Sequence, residues 1–80
     1  MKLWEFTFAD PASAWASAHV AAADRGEACT LLSGRIDRWL NPYDPAGRPQ
    51  RPAPDVLLRY AGEMGDMASR LIGLTPRVAP

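Results

Sequence analysis

The chain is short of the residues from which catalytic and metal sites are usually built. Its 80 residues hold one cysteine, Cys29, and one histidine, His19. A single cysteine rules out an internal disulfide framework. One cysteine and one histidine also fall short of the four ligands of a structural zinc site. Lysine occurs once, at Lys2, against eight arginines, a bias that suits a GC-rich genome. Neither sign of charge is in excess, because nine basic and nine acidic side chains cancel. Nucleic-acid binders carry a basic excess and DNA mimics an acidic one, and the chain shows neither. The balance holds in each half: residues 1–41 carry four basic and five acidic groups, and residues 42–80 carry five and four. No apolar run approaches the roughly 18 residues of a membrane span. Glu5 interrupts what would be the apolar stretch of a secretory leader. No G-x-G-x-x-G, Walker A or G-x-S-x-G motif occurs. These absences set the first expectations: no enzymatic activity, no cofactor, no metal, no membrane partner, and a reducing, cytoplasmic setting.

What is present suffices for one small domain over residues 1–80. Apolar residues make up 48% of the chain, with three Trp, two Tyr and two Phe, enough for a modest core at this length. Residues 2–9 alternate, with Trp4, Phe6 and Phe8 on one face and Leu3, Glu5 and Thr7 on the other, which predicts a strand. Asp10-Pro11-Ala12-Ser13 has the chemistry of a turn. Residues 14–23 are alanine-rich and fit a helix beginning at Asp10-Pro11 or a second strand. The strand is favoured because the first strand needs a partner for its backbone groups and because a fresh helix start follows. That start is Asp24-Arg25-Gly26-Glu27. Asp24 can cap the free N–H groups of the first turn, and Glu27 can reach back to the N–H of residue 24. A first helix is predicted from about residue 25 to residue 40, with Ala28, Leu32, Ile36 and Leu40 in one row and Asn41-Pro42 as its stop.

Residues 41–54 contain five prolines and read as a linker-like loop, which carries Tyr43, Asp44, Arg48 and Arg51. Residues 49–52 form a P-x-x-P match, a pattern frequent by chance in such composition. From Pro54-Asp55 a second helix is predicted, because Leu57, Tyr60, Met64, Met67 and Leu71 recur at helical spacing. On it Arg59–Glu63 and Asp66–Arg70 would pair at i, i+4, and Gly62 and Gly65 would mark a kink or a close approach. Gly73 would cap its end, and residues 75–80 would form a loose tail. The predicted class is therefore α+β: an N-terminal β-hairpin followed by two amphipathic helices separated by a proline-rich loop.

Few groups can converge for chemistry. Cys29 falls on the apolar side of the first helix, where a thiol is inert packing, and His19 reads as a surface or packing residue. The remaining candidates are contact residues. Trp15, on the less apolar side of the second strand with Ser17 and His19, is the candidate aromatic anchor. Tyr43, Arg48 and Arg51 would form an extended docking strip, since a stiff Pro/Arg segment loses little entropy on binding. Glu63 and Asp66 complete the partner-binding set. The functional expectation is a non-enzymatic inhibitor that binds a protein, as monomer or homodimer, with direct nucleic-acid contact disfavoured. Two alternatives remain: a nucleic-acid-associated regulator or accessory subunit acting through Arg48, Arg51, Arg59 and Arg70, and a homo-oligomeric module packing the glycine-bearing face of the second helix on its copy.

In size, α+β layout and lack of a reaction centre, with a strand running through Ala-Asp-x-x-Glu-Ala into a helix at residues 20–28, the chain resembles the small phage-encoded anti-CRISPR proteins that act on type I systems. Those proteins share no residue pattern, so no site is carried over. The resemblance implies binding to a CRISPR effector subunit in the host cytoplasm and blocking of target DNA capture. Glu63, Asp66, Asp24 or Glu27 would then face a basic nucleic-acid channel. A net charge of zero argues for a blocker working by shape and a local patch rather than by pure DNA mimicry.

Overall fold

The structure, a computed structural model, describes residues 1–36, 38, 40 and 55–78. It consists of β1 (Lys2–Phe8), β2 (Trp15–Ala22), α1 (Arg25–Ile36), β3 (Val56–Glu63) and β4 (Arg70–Pro76). The four strands form one antiparallel sheet in the order β3-β1-β2-β4. The architecture is mostly β with one helix, and the expected hairpin followed by two helices is corrected.

The N-terminal half follows the sequence logic closely. Alternation along β1 sends Phe6 and Phe8 into the core at 1% and 3% exposure. The register pairs Phe6 with Ala18 and Trp4 with Val20. Residues 14–23, open between strand and helix, are resolved as β2. Its Ala18, Val20 and Ala22 face the core with Ala28, Cys29 and Leu32 of α1. Small side chains on β2 let the helix lie close to the sheet, and α1 packs on β2 and more lightly on β4. Asp24 caps α1 as expected, its Oδ1 accepting from the Glu27 N–H at 2.8 Å. Glu27 reaches back one residue further than expected and accepts from the Ala23 N–H at 3.1 Å.

The helix ends at Ile36 rather than near residue 40. Ser33 explains the difference: its hydroxyl donates to the Cys29 carbonyl at 2.6 Å and accepts from the Leu40 N–H at 2.8 Å. That bond satisfies the backbone of Leu40 as the chain folds over and buries its side chain to 8% exposure. Asp37 and Trp39 lie outside the described residues.

The predicted second helix is two strands. Val56-Leu57-Leu58-Arg59-Tyr60 also alternates, with Val56, Leu58 and Tyr60 on the core side and Leu57 and Arg59 on the other. β1 sits inside the sheet and needs a partner on its outer side, a demand that outweighs local helix preference. Gly62 and Gly65 are neither a kink nor a packing notch. Their φ values of +141° and +72° form the strand end and the turn out of β3. Residues 64–69 then carry the chain from one sheet edge to the other, past Met1 at the start of β1. There the Met1 carbonyl accepts from Met64 N–H at 2.8 Å, and the Met1 amine donates to the Gly65 carbonyl at 3.1 Å. Gly73 lies within β4 opposite His19 rather than at a helix end. At the other end of the sheet, Arg77 donates to the carbonyls of Ser13 and Phe8 and ties the β1–β2 turn to the end of β4. No helix among the described residues is long and apolar enough to cross a membrane.

Truncating Phe6 to Ala removes the largest fully buried side chain, at the junction of β1, β2 and β3, and is expected to cost about 3–5 kcal/mol. Gly65→Ala meets no neighbouring atom and should cost only the strain of a left-handed backbone, about 1–2 kcal/mol. Urea titration of both variants measures the two costs, and a Phe6→Ala loss no larger than that of Gly65→Ala contradicts this packing.

Candidate functional site

The two faces of the sheet differ sharply. One carries α1 and all the strand aromatics of the core. The other has no helix among the described residues. Cross-strand register arranges it in three rows: Leu57–Thr7–Ser17–Thr75, Arg59–Glu5–His19–Gly73 and Gly62–Leu3–Ala21–Arg70. Half of these side chains are small or short, and Ala21 is sunk to 0% exposure between its cross-strand neighbours Leu3 and Arg70. The face therefore sets short side chains among longer ones.

Its central row is a charged ladder. The Arg59 Nε donates to Glu5 Oε1 at 2.6 Å, and His19 Nε2 lies 3.0 Å from Glu5 Oε2. Pairing directly opposite on three adjacent strands brings these side chains together, although residues 5 and 59 are far apart in sequence. The exposures fall from 66% for Arg59 through 36% for His19 to 24% for Glu5. Glu5 is thus the inner member, with a cation on one side and an imidazole on the other. The hydrogen bond from Arg59, and then that from His19, hold its carboxyl below the usual glutamate range. The ladder offers a fixed carboxylate, an oriented imidazole and an exposed guanidinium. Thr7, Ser17 and Thr75 place three hydroxyls one row away, and among the described residues none is bonded to His19. Nor do any three His, Cys, Asp or Glu side chains among the described residues come together as metal ligands.

The structure places the sequence candidates differently from one another. Trp15 does not share the His19 face: a register shift between Trp15 and Ser17 leaves it half-buried and packed on the core. Tyr43, Arg48 and Arg51 lie outside the described residues, as does Asp44. Glu63 ends β3 and accepts from the Tyr60 hydroxyl at 2.8 Å, a bond that raises the tyrosine pKa. Asp66 is exposed in the 64–69 connection. The Arg59–Glu63 helical pairing is replaced by Arg59–Glu5. Asp24, Glu27, Glu63 and Asp66 do gather at one end of the sheet, where β2 and β3 finish and β1 and β4 begin. Lys2, Arg25 and Arg70 are interleaved with them, so that end is mixed in charge. Cys29 is buried at 4% exposure and desolvation pushes its thiol pKa up, as inert packing requires.

The ladder is a unit that neither His19 nor Glu5, taken singly, announces in the sequence. The signal existed: two antiparallel strands joined near residues 10–13 set Glu5 opposite His19. No protein-family model, no curated protein and no solved structure matches the chain.

The sign of the acid response follows from the direction of the Glu5 shift. A carboxylate depressed in the folded state stabilises the fold above its ordinary pKa of about 4.3 and loses that contribution as pH falls below it. Asp55 acts the same way, depressed by the hydrogen bond from Arg38, whose Nη1 donates to its Oδ2 at 2.9 Å. Stability should fall on acidification from about pH 4.3 downward, and Glu5→Gln should flatten that fall without removing the part due to Asp55. Urea midpoints of both proteins between pH 2.5 and 6, taken as about two units either side of the carboxylate range, check this. Parallel curves exclude the ladder.

Proposed function

We propose that the protein is a non-enzymatic module that binds another protein in fixed stoichiometry, with the helix-free face of the sheet as its contact surface. The observation that carries this reading is the Arg59–Glu5–His19 ladder, flanked on the helix-free face by rows in which Thr7, Ser17, Thr75, Gly62 and Ala21 are small. Such a ladder gives orientation and charge matching, and small neighbours let a partner approach the strands. Base recognition on a sheet uses exposed aromatics as stacking platforms. Here Trp4, Phe6 and Phe8 all turn toward the helix side, which favours a protein partner over the nucleic-acid regulator. The homo-oligomeric alternative built on a glycine-bearing helix face has no basis, because residues 56–63 and 70–76 are strands.

The sharper form of this reading is an inhibitor that occupies a subunit of a type I CRISPR effector complex and prevents target DNA capture. The mixed charge at the end holding Glu63 and Asp66 supports a blocker by shape and patch over a mimic of the phosphate backbone. Affinity capture from a host carrying such a system tests both levels. Recovery of effector subunits, lost with Thr7→Arg or Thr75→Arg but kept with Arg35→Glu on α1, supports the inhibitor. A different stoichiometric partner with the same variant pattern defeats the inhibitor and keeps the binding face. A partner indifferent to both arginine substitutions defeats the face itself.

A further inference from the structure

The two outer edges of the sheet are not alike. β4 is protected in the ways edge strands usually are: its pairing with β2 shifts register between Trp15 and Ser17 and again between His19 and Val20, and Pro76 closes it. β3 runs opposite β1 without irregularity from Val56 to Tyr60 and contains neither proline nor lysine. Two of its side chains, Leu57 at 62% and Tyr60 at 49%, are among the most exposed large apolar groups described.

The direction of the β3 backbone groups can be read from one bond. Ala9 N–H donates to the Asp55 carbonyl at 2.7 Å, so position 55 points inward to β1. Antiparallel pairs alternate between bonded and non-bonded positions. Leu57 and Arg59 therefore also point inward, and Val56, Leu58 and Tyr60 present N–H and C=O groups outward. The Arg25 guanidinium agrees with this, donating at 3.2 Å to the Leu58 carbonyl, a group this alternation leaves unpaired with β1. A carbonyl has two lone pairs, so this bond leaves room for a second donor.

We propose that a second copy of this chain pairs with the outer edge of β3, antiparallel about a two-fold axis at Leu57, joining two four-stranded sheets into one of eight strands. The sequence of the edge is self-complementary in that register. Leu57 meets Leu57 of the other copy, and each Val56 faces a Leu58. Each Asp55, whose carboxylate also accepts from Arg38 of its own chain, faces an Arg59, which uses Nε for Glu5 and whose terminal nitrogens have no partner among the described residues. Val56 and Leu58, both outward-pointing, then exchange backbone bonds across the junction. Moving the axis to Arg59 would set two like charges opposite each other, which is unfavourable. Moving it to Leu58 would set apolar Leu57 against charged Arg59 and forgo the Asp55–Arg59 contact between copies. This assembly goes beyond the binding reading above and does not depend on it, since edge pairing leaves the helix-free face open.

Sedimentation of the full chain over a concentration series tests the pairing. The wild type is expected to shift from monomer to dimer as concentration rises, and Leu57→Lys to weaken the dimer at least tenfold with an unchanged circular dichroism spectrum. Leu57→Cys supplies the register: facing positions of a non-bonded antiparallel pair lie about 4.5 Å apart, within the 4.4–6.8 Å span of a disulfide, so this variant should cross-link on mild oxidation while Thr75→Cys should not. A wild type that stays monomeric at every concentration overturns the proposal, as does a dimer that tolerates Leu57→Lys or fails to cross-link through position 57.

Discussion

β1 exchanges main-chain hydrogen bonds with β2 on one side and β3 on the other, and this double pairing is the constraint from which the remaining structure follows. A strand paired on both edges has no backbone group left to water, so its side chains must resolve into two environments. Phe6 and Phe8 go to one side and, with three alanine-sized or β-branched residues of β2, make the floor on which α1 lies. Leu3, Glu5 and Thr7 go to the other. The core and the charged ladder are thus opposite faces of the same seven residues, and slipping the register by one would exchange them.

The arrangement gives the two faces of the sheet different means of holding together. Aromatic mass sits on the helix side, where Trp4 also donates its indole N–H to the Ala22 carbonyl at 3.2 Å and meets Tyr60 edge-on with ring centres 5.9 Å apart. The opposite face is left with little apolar bulk to bury. Its order comes from ion pairing and hydrogen bonding across strands, and the two salt-bridged carboxylates Glu5 and Asp55 anchor β3 at different points along its length.

The sequence was most readable where local signals and tertiary demand agreed. The aromatic alternation of residues 4–8, the Asp24 cap and the Ala28/Leu32 stripe each named the right element. The reading of β2 succeeded because it used a demand of the whole sheet, an unpaired neighbour, rather than the helix preference of alanine. The same demand arises a second time. β1 has two edges, and the segment from residue 56 was needed for the second. Leu57, Tyr60, Met64, Met67 and Leu71 matched a helical spacing that no helix used, while two glycines three residues apart were the sign of a reversal. The ladder was invisible for a related reason: Arg59 was matched with Glu63, its neighbour in sequence, when its partner is set by a pairing across more than fifty residues.

The connection at residues 64–69 links two strands that lie on opposite edges and never touch. Each of them docks on a strand of the N-terminal hairpin, and neither has a ladder without it. The C-terminal third therefore cannot hold shape by itself, and the hairpin must stand before its flanks can be laid down. With the chain straddling the sheet in this way, both margins are assembled against one template by one continuous piece of polypeptide. Releasing either margin loosens the anchor of the other, so the molecule should gain or lose its order as an indivisible whole.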